Sequence, residues 1–405
     1  MVFLEDSPQV LALRDIDQVR ATLTRMRVSS DGVDIMSSKA LFRLVRVTGL
    51  DPRAANILKQ EMLSKGGEAA ISREVYAMEG GKADCLIMGT LTQFEHLLSI
   101  LERQPFGLPS LAADIKAALL HYDTPVPQGP AGLSLDGAPL LMGALNVTPD
   151  SFSDGDSYLG VEAAVAAALT MAGEGADLVD VGGESTRPGA DSVSVEEESR
   201  RVLPVVKELA PILPGRISVN TYKASVAAQA LAVGAYLIND ISALRADPEM
   251  VAVVRDAQCP VVLMHMQGDL QTMHESPPHG DVVENVYRFF VERLNWAVDQ
   301  GLREEDLLID PGLGFGKTMA HNIEILRDLA TFRSLGRPLV VGASRKRFLG
   351  TIIDQPESRE RDIATAVVTA LAAWEGAHVL RVHHVGANRE AVRIAQAMLG
   401  GRPPA

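Results

Sequence analysis

Polar and ionisable residues recur in this chain where short apolar runs end. Asn146 closes the run at 140–147 and Asp154 follows it; Glu184 to Arg187 follow the run at 177–183; Asn220 closes 216–220. Asn239 and Asp240 lie in 237–242, His265 and Gln267 end 261–266, and Asp310 sits in 307–312. Ser344, Arg345 and Lys346 end 338–344, and Arg381 and His383 lie in 379–385. By chemistry they form two sets. Arg187, Lys346, Arg381 and His383, with the amide oxygen of Asn146, suit a phosphate or pyrophosphate accompanied by Mg²⁺. Asn220, Asn239 and Asp310 present amide and carboxylate faces that match the donor and acceptor edge of a flat nitrogen heterocycle. Phe315, in the glycine-rich turn PGLGFGK, could pack on its ring. A phosphorylated heterocycle is the ligand this set predicts. Any single member could instead be a paired core residue, since a buried amide or ion is costly only when unpaired. Recurrence at the same end of run after run points to one shared site.

The elements that would hold these residues follow from the spacing. Ala-rich helical stretches, such as 161–174, 224–233 and 361–375, alternate with the apolar runs, and Gly175, Gly234 and Gly376 stop them. Eight such units over roughly 260 residues predict an α/β fold, a (β/α)₈ TIM barrel. A doubly wound sheet is the alternative, but no G-x-G-x-x-G follows the first run. Residues 1–130 lack this repeat and read as a small α+β N-terminal domain, with the barrel at 131–405. In the first part, Asp51 and Pro52 open a helix, 40–47 and 85–89 read as strands, and 91–103 reads as a helix ending before Pro105. It carries no constellation of acids, bases or ligands, so a structural or oligomerisation role is expected, with regulation as the alternative. The Pro- and Gly-rich stretch 123–139 reads as a linker.

Composition narrows the class. With 405 residues and 47% hydrophobic residues, the chain can bury a large core. A formal charge of -14 argues against a general nucleic-acid binder or an anionic-membrane surface protein. Cys85 and Cys259 lack metal-ligand spacing and read as reduced thiols of a cytoplasmic protein. Neither a signal peptide nor a membrane span is expected.

The blocks LNVTPDSFSDG, GGESTRPGA, INDIS, LMHMQG, DPGLGFGK, SRKRFLG and RVH occur in that order between about residues 139 and 399. Together they resemble the dihydropteroate synthase family, whose members join p-aminobenzoate to a pterin pyrophosphate in folate biosynthesis. The resemblance implies a role for each matching residue. Asn146 is a Mg²⁺ ligand, and Arg381 and His383 hold pyrophosphate. Asn239, Asp310 and Lys346 read the pterin edge, with Phe315 close by. Loops carrying Phe152 with Asp154, and Thr186, Arg187 and Pro188, close over the site and build the p-aminobenzoate pocket, which Arg347 adjoins. In the family, departing pyrophosphate leaves a pterin methylene cation that the arylamine attacks, so Asp154, Lys346 and residue 220 bear on catalysis. A homodimer is also implied.

Two positions depart from the family pattern. The block usually read S-V-D-T is SVNT here, and RVHDV becomes RVHHV, placing Asn220 and His384 where aspartates are expected. Losing a carboxylate that faces the pterin would cost about 1.5 to 3 kcal/mol, or one to two decades in rate. If that carboxylate is missing from an otherwise competent site, Asn220→Asp raises turnover. Asp154 then gains weight as one of the few remaining acids that could face the cation. Two other readings stay open: a non-catalytic pterin-binding paralogue, and a methyltetrahydrofolate:corrinoid methyltransferase-like protein. The retained STRP and SRKR blocks argue against the latter.

Overall fold

The computed structural model describes residues 8–73, 75, 81–124, 129–135, 137–147, 157–185, 192–268 and 280–399, except the side chains of 157–159. The chain divides into two compact units, Met1–Thr124 and Pro125–Ala405.

The first unit is α+β. Strands β1 (Phe42–Leu50), β2 (Glu68–Ile71) and β3 (Ala83–Thr90) form an antiparallel sheet in the order β1–β3–β2. The helix Pro52–Ser64 starts where Asp51 accepts from the Arg53 amide at 2.8 Å and Pro52 sets the first turn. The helix Leu91–Leu101 begins with a capping box between Thr90 and Gln93. Leu58, Met62, Ile87, Phe94, Leu97 and Leu101 pack between sheet and helices. Alternation in β3 sends Cys85 and Ile87 into this core.

The second unit is the barrel. Its strands are β4 (Leu140–Asn146), β5 (Leu178–Gly182), β6 (Ile217–Asn220), β7 (Leu237–Asp240), β8 (Val261–Met264), β9 (Leu307–Asp310), β10 (Val340–Val341) and β11 (Val379–Val382). They pair in parallel in the order β10–β11–β4–β5–β6–β7–β8–β9, and a parallel bridge between Ile309 and Leu339 closes the ring. Helices such as Ala224–Ala232, Val282–Asp299 and Asp362–Trp374 cover the outside. Both faces of each strand are therefore buried, which is why the strands read as unbroken apolar runs. The expected run at 338–344 narrows to a two-residue β10, because Pro338 has no amide hydrogen to donate and the chain turns through Ser344–Lys346.

Inside the barrel, side chains stack in layers two residues apart. The floor is apolar: Met142, Leu178, Leu237, Val262, Leu308, Val340 and Val379. Leu133 and Leu135 join this cluster, and the Tyr236 hydroxyl donates to the Ala131 carbonyl. Part of the stretch expected to be a linker therefore plugs the amino-terminal end of the barrel. Burial of these two leucines contributes about 1.5–3 kcal/mol each, and their spacing of two puts both on one side of an extended chain.

Candidate active site

Two residues above the floor the layer changes character. Leu178 is followed on the same face by Asp180, Leu237 by Asn239, Leu308 by Asp310 and Val379 by Arg381. Period-two geometry thus gathers acids, an amide and a guanidinium inside the carboxyl-terminal half of the barrel.

Asp180 is fully buried and surrounded by donors. Its Oδ1 accepts from Ser218 Oγ at 2.6 Å, and its Oδ2 from Arg381 Nε at 2.6 Å, Asn239 Nδ2 at 3.1 Å and Asn220 Nδ2 at 3.5 Å. Strand register explains the convergence: Asp180 pairs with Ser218, and Asn220 with Asn239.

The opposite side is built on Asp310. Its Oδ1 accepts from the Gly312 amide at 2.7 Å. Burial pushes this carboxyl upward, against the pull of Lys346, the Gly312 amide, Lys317 and Arg381. Lys346 donates to the Leu313 carbonyl and lies 4.5 Å from the centroid of the Phe315 ring. Burial lowers Lys346 to about 8, with Asp310 opposing and Arg381 reinforcing that shift.

Lys317 fixes the glycine-rich turn. Its Nζ contacts His265 Nδ1 at 2.8 Å and donates to the carbonyls of Gly312 at 2.9 Å and Phe315 at 3.2 Å. Burial lowers Lys317 to about 7, helped by Lys346, and holds His265 well below its ordinary value. A neutral imidazole accepting at Nδ1 carries its proton on Nε2. Gly312 has φ +65, and a Cβ there would stand 1.9 Å from the His265 carbonyl, so the turn requires glycine.

The remaining expected residues sit around this core. His383 Nδ1 lies 2.9 Å from Ser344 Oγ, which also accepts from the His383 amide at 3.2 Å. Asn146 is exposed at the end of β4, its Oδ1 4.0 Å from where a Cβ on Gly182 would stand. Arg347 is exposed at the start of the helix Arg347–Ile352. His384 caps the helix Val385–Met398, its Nδ1 accepting from Ala387 at 3.2 Å. Phe152, Asp154, Thr186, Arg187 and Pro188 lie outside the described residues. Among the described residues just before Thr186, Glu184 accepts from Tyr222 Oη at 2.9 Å and from Lys223, which also reaches Glu198.

Asp180 and Lys317 were not singled out from sequence. A lone acid within LVDVG reads as strand, yet it stands two residues past Leu178, the same offset that places Asn239 and Asp310. Lys317 closes the turn motif PGLGFGK, where only the fold reveals it as the hub that fixes the turn.

Among the described residues no group of three His, Cys, Asp or Glu could hold a metal. A single exposed amide oxygen, that of Asn146, fits Mg²⁺ that arrives with substrate phosphates and keeps several waters.

The fold and mouth define a (β/α)₈ barrel whose apolar floor is overlain by a polar layer suited to a planar heterocycle, with cations suited to an attached anion. Residues 142–383 match the family described as pterin binding enzyme, and the chain belongs to that family. It is 45% identical over 272 residues to the dihydropteroate synthase of Escherichia coli, an alignment covering 67% of this chain and 96% of that protein. A Halobacterium salinarum protein, named a probable bifunctional folylpolyglutamate synthase/dihydropteroate synthase, is 42% identical over 386 residues. That alignment takes in 95% of this chain but 46% of the relative, so the chain spans about half of that protein's length. Among solved structures, Xanthomonas albilineans dihydropteroate synthase with 4-aminobenzoic acid superposes with a TM-score of 0.62 at 47% identity, covering 67% of this chain and 96% of that one. A Yersinia pestis dihydropteroate synthase complexed with a sulfonamide drug gives 0.64 at 41% identity, covering 68% and 99%.

Proposed function

We propose that the barrel is a dihydropteroate synthase, a transferase that condenses p-aminobenzoate with 6-hydroxymethyl-7,8-dihydropterin pyrophosphate. The observation that carries this reading is the convergence of Asn220, Asn239 and Asp310 with Lys346 and Arg381 in one barrel mouth. The amide oxygens and the Asp310 carboxylate take the pterin's ring and amino N–H groups, Lys346 donates to its acceptors, and Phe315 packs near the ring. Arg381 and His383 bind the pyrophosphate. Asn146 would hold Mg²⁺, which neutralises charge on the leaving pyrophosphate when bound. The methylene C–O bond breaks, the arylamine nitrogen forms the new C–N bond, and its proton passes to solvent. The family resemblance assigns the p-aminobenzoate pocket, where a sulfonamide is expected to compete, to Phe152, Asp154, Thr186, Arg187 and Pro188, with Arg347 adjoining it. The fixed dipoles and charges of the mouth stabilise the developing cation with little reorganisation.

Asn220 favours a second reading, a pterin-binding paralogue without turnover. Incubation of purified protein with pterin pyrophosphate, p-aminobenzoate and Mg²⁺ separates the two. Release of pyrophosphate with formation of dihydropteroate supports the synthase, whereas pterin binding without release supports the paralogue.

We also propose a homodimer in the cytoplasm. Ile363, Val367 and Leu371 recur every four residues on the helix Asp362–Trp374 and are exposed, as are Ile394 and Met398 on the neighbouring helix Val385–Met398. An apolar stripe of this kind suits a second copy of the chain. Both cysteines are buried and free, and no described helix is long and apolar enough to cross a membrane.

A further inference from the structure

Residue 220 departs from the family pattern, and Asp180 gives that departure a physical meaning. A carboxylate only accepts hydrogen bonds, so the amides of Asn220 and Asn239 must turn their nitrogens toward Asp180. Their oxygens are then left facing away from it. Asn220 is the partly exposed member of this set, one side-chain layer above Asp180, while Asp180 and Asn239 are buried.

We propose that Asp180 is a positioning residue. It locks the amide oxygens of Asn220 and Asn239 toward the barrel mouth and holds Arg381 beside them. Asn220 thereby presents an acceptor oxygen where the family presents a carboxylate oxygen, and the negative charge stays in the site, one layer deeper. Ser218 completes the grip: its buried hydroxyl holds Oδ1, leaving Oδ2 to the two amides and the guanidinium. Asn220 is therefore a substitution that the pocket is built to use. This inference rests on the mouth being a pterin site.

The test measures affinity for pterin pyrophosphate by calorimetry, alongside the KM for p-aminobenzoate. In Asp180→Asn, the introduced amide offers hydrogens to groups that are themselves donors. Pterin affinity should fall about tenfold or more, while the p-aminobenzoate KM stays within about twofold. The exchange Asp180→Asn/Asn220→Asp restores one carboxylate and one amide in the pair and should recover part of the loss, a coupling a general loss of stability would not show. Ser218→Ala frees one carboxylate oxygen and should weaken pterin binding about threefold. A folded Asp180→Asn protein with parental affinity overturns the proposal, as does an exchange variant no tighter than the single variant. If Asp180→Asn does not fold, unchanged affinity in Ser218→Ala overturns it. A parent that binds no pterin pyrophosphate overturns the pterin reading as well, whereas a binding parent with unaffected variants overturns this inference alone.

Discussion

Around Asp180, one carboxylate meets donors from three other strands, whereas around Asp310 two buried lysines, with Arg381 beyond, act on a second buried carboxylate. On the first side every partner is an amide, a hydroxyl or a guanidinium, groups that keep their protonation state near neutrality. On the second, burial pushes Asp310 up while it lowers Lys346 to about 8 and Lys317 to about 7. Desolvation drives both members of the Asp310–Lys346 pair toward their neutral forms, and their mutual attraction opposes it. One side of the mouth is thus a fixed template for hydrogen bonding, and the other is a charge reserve poised near working pH. Such a division suits a reaction in which a flat ring must be held while charge develops beside it.

The largest expected effect comes from breaking the titrating side. Lys346→Met leaves Asp310 without its main cation and should lower kcat/KM for pterin pyrophosphate by about two to three orders of magnitude. Steady-state kinetics at saturating p-aminobenzoate checks this. Next is Gly312→Ala, which forces a positive φ on alanine and drives a Cβ against the His265 carbonyl. A stability loss of about 2 kcal/mol or more is expected by denaturant melts, with weaker pterin binding as the turn shifts.

A change on the fixed side should be milder. Asn239→Ala removes one of several donors to Asp180, so pterin affinity should drop about tenfold with no change in the shape of its pH profile. As pH rises through about 8, Lys346 loses its proton and its attraction for the anionic substrate, so kcat/KM should decline there. Lys346→Arg should move the decline upward, and a profile unaffected by that change would remove the distinction between the two sides. Smallest is Val367→Glu: if the proposed homodimer forms through this stripe, light scattering should show the variant as a monomer, with pterin affinity within about twofold of the parent.

Much of this arrangement was legible in the sequence for a simple reason. Strands buried on both faces read as apolar runs, and their polar ends betray the mouth. Asn220, Asn239, Asp310, Lys346 and Arg381 were all placed by that rule. Asp180 escaped it because a single acid inside LVDVG interrupts an apolar run without ending it; only the two-residue layering above Leu178 reveals its direction. The plug escaped for the opposite reason. Pro and Gly dominate 123–139, and their turn character masks Leu133 and Leu135, whose burial depends on a barrel floor formed by residues far along the chain. Short β10 shows the same limit: its neighbours, not its own composition, decide where pairing stops.

The activity proposed for this mouth is binding of a pterin pyrophosphate and displacement of its pyrophosphate by an arylamine. The most direct measurement follows pyrophosphate release by the purified chain given pterin pyrophosphate, Mg²⁺ and p-aminobenzoate, with the arylamine omitted as control. The predicted result is stoichiometric release of pyrophosphate and formation of dihydropteroate only when the arylamine is present. Bound pterin with no arylamine-dependent release would contradict it.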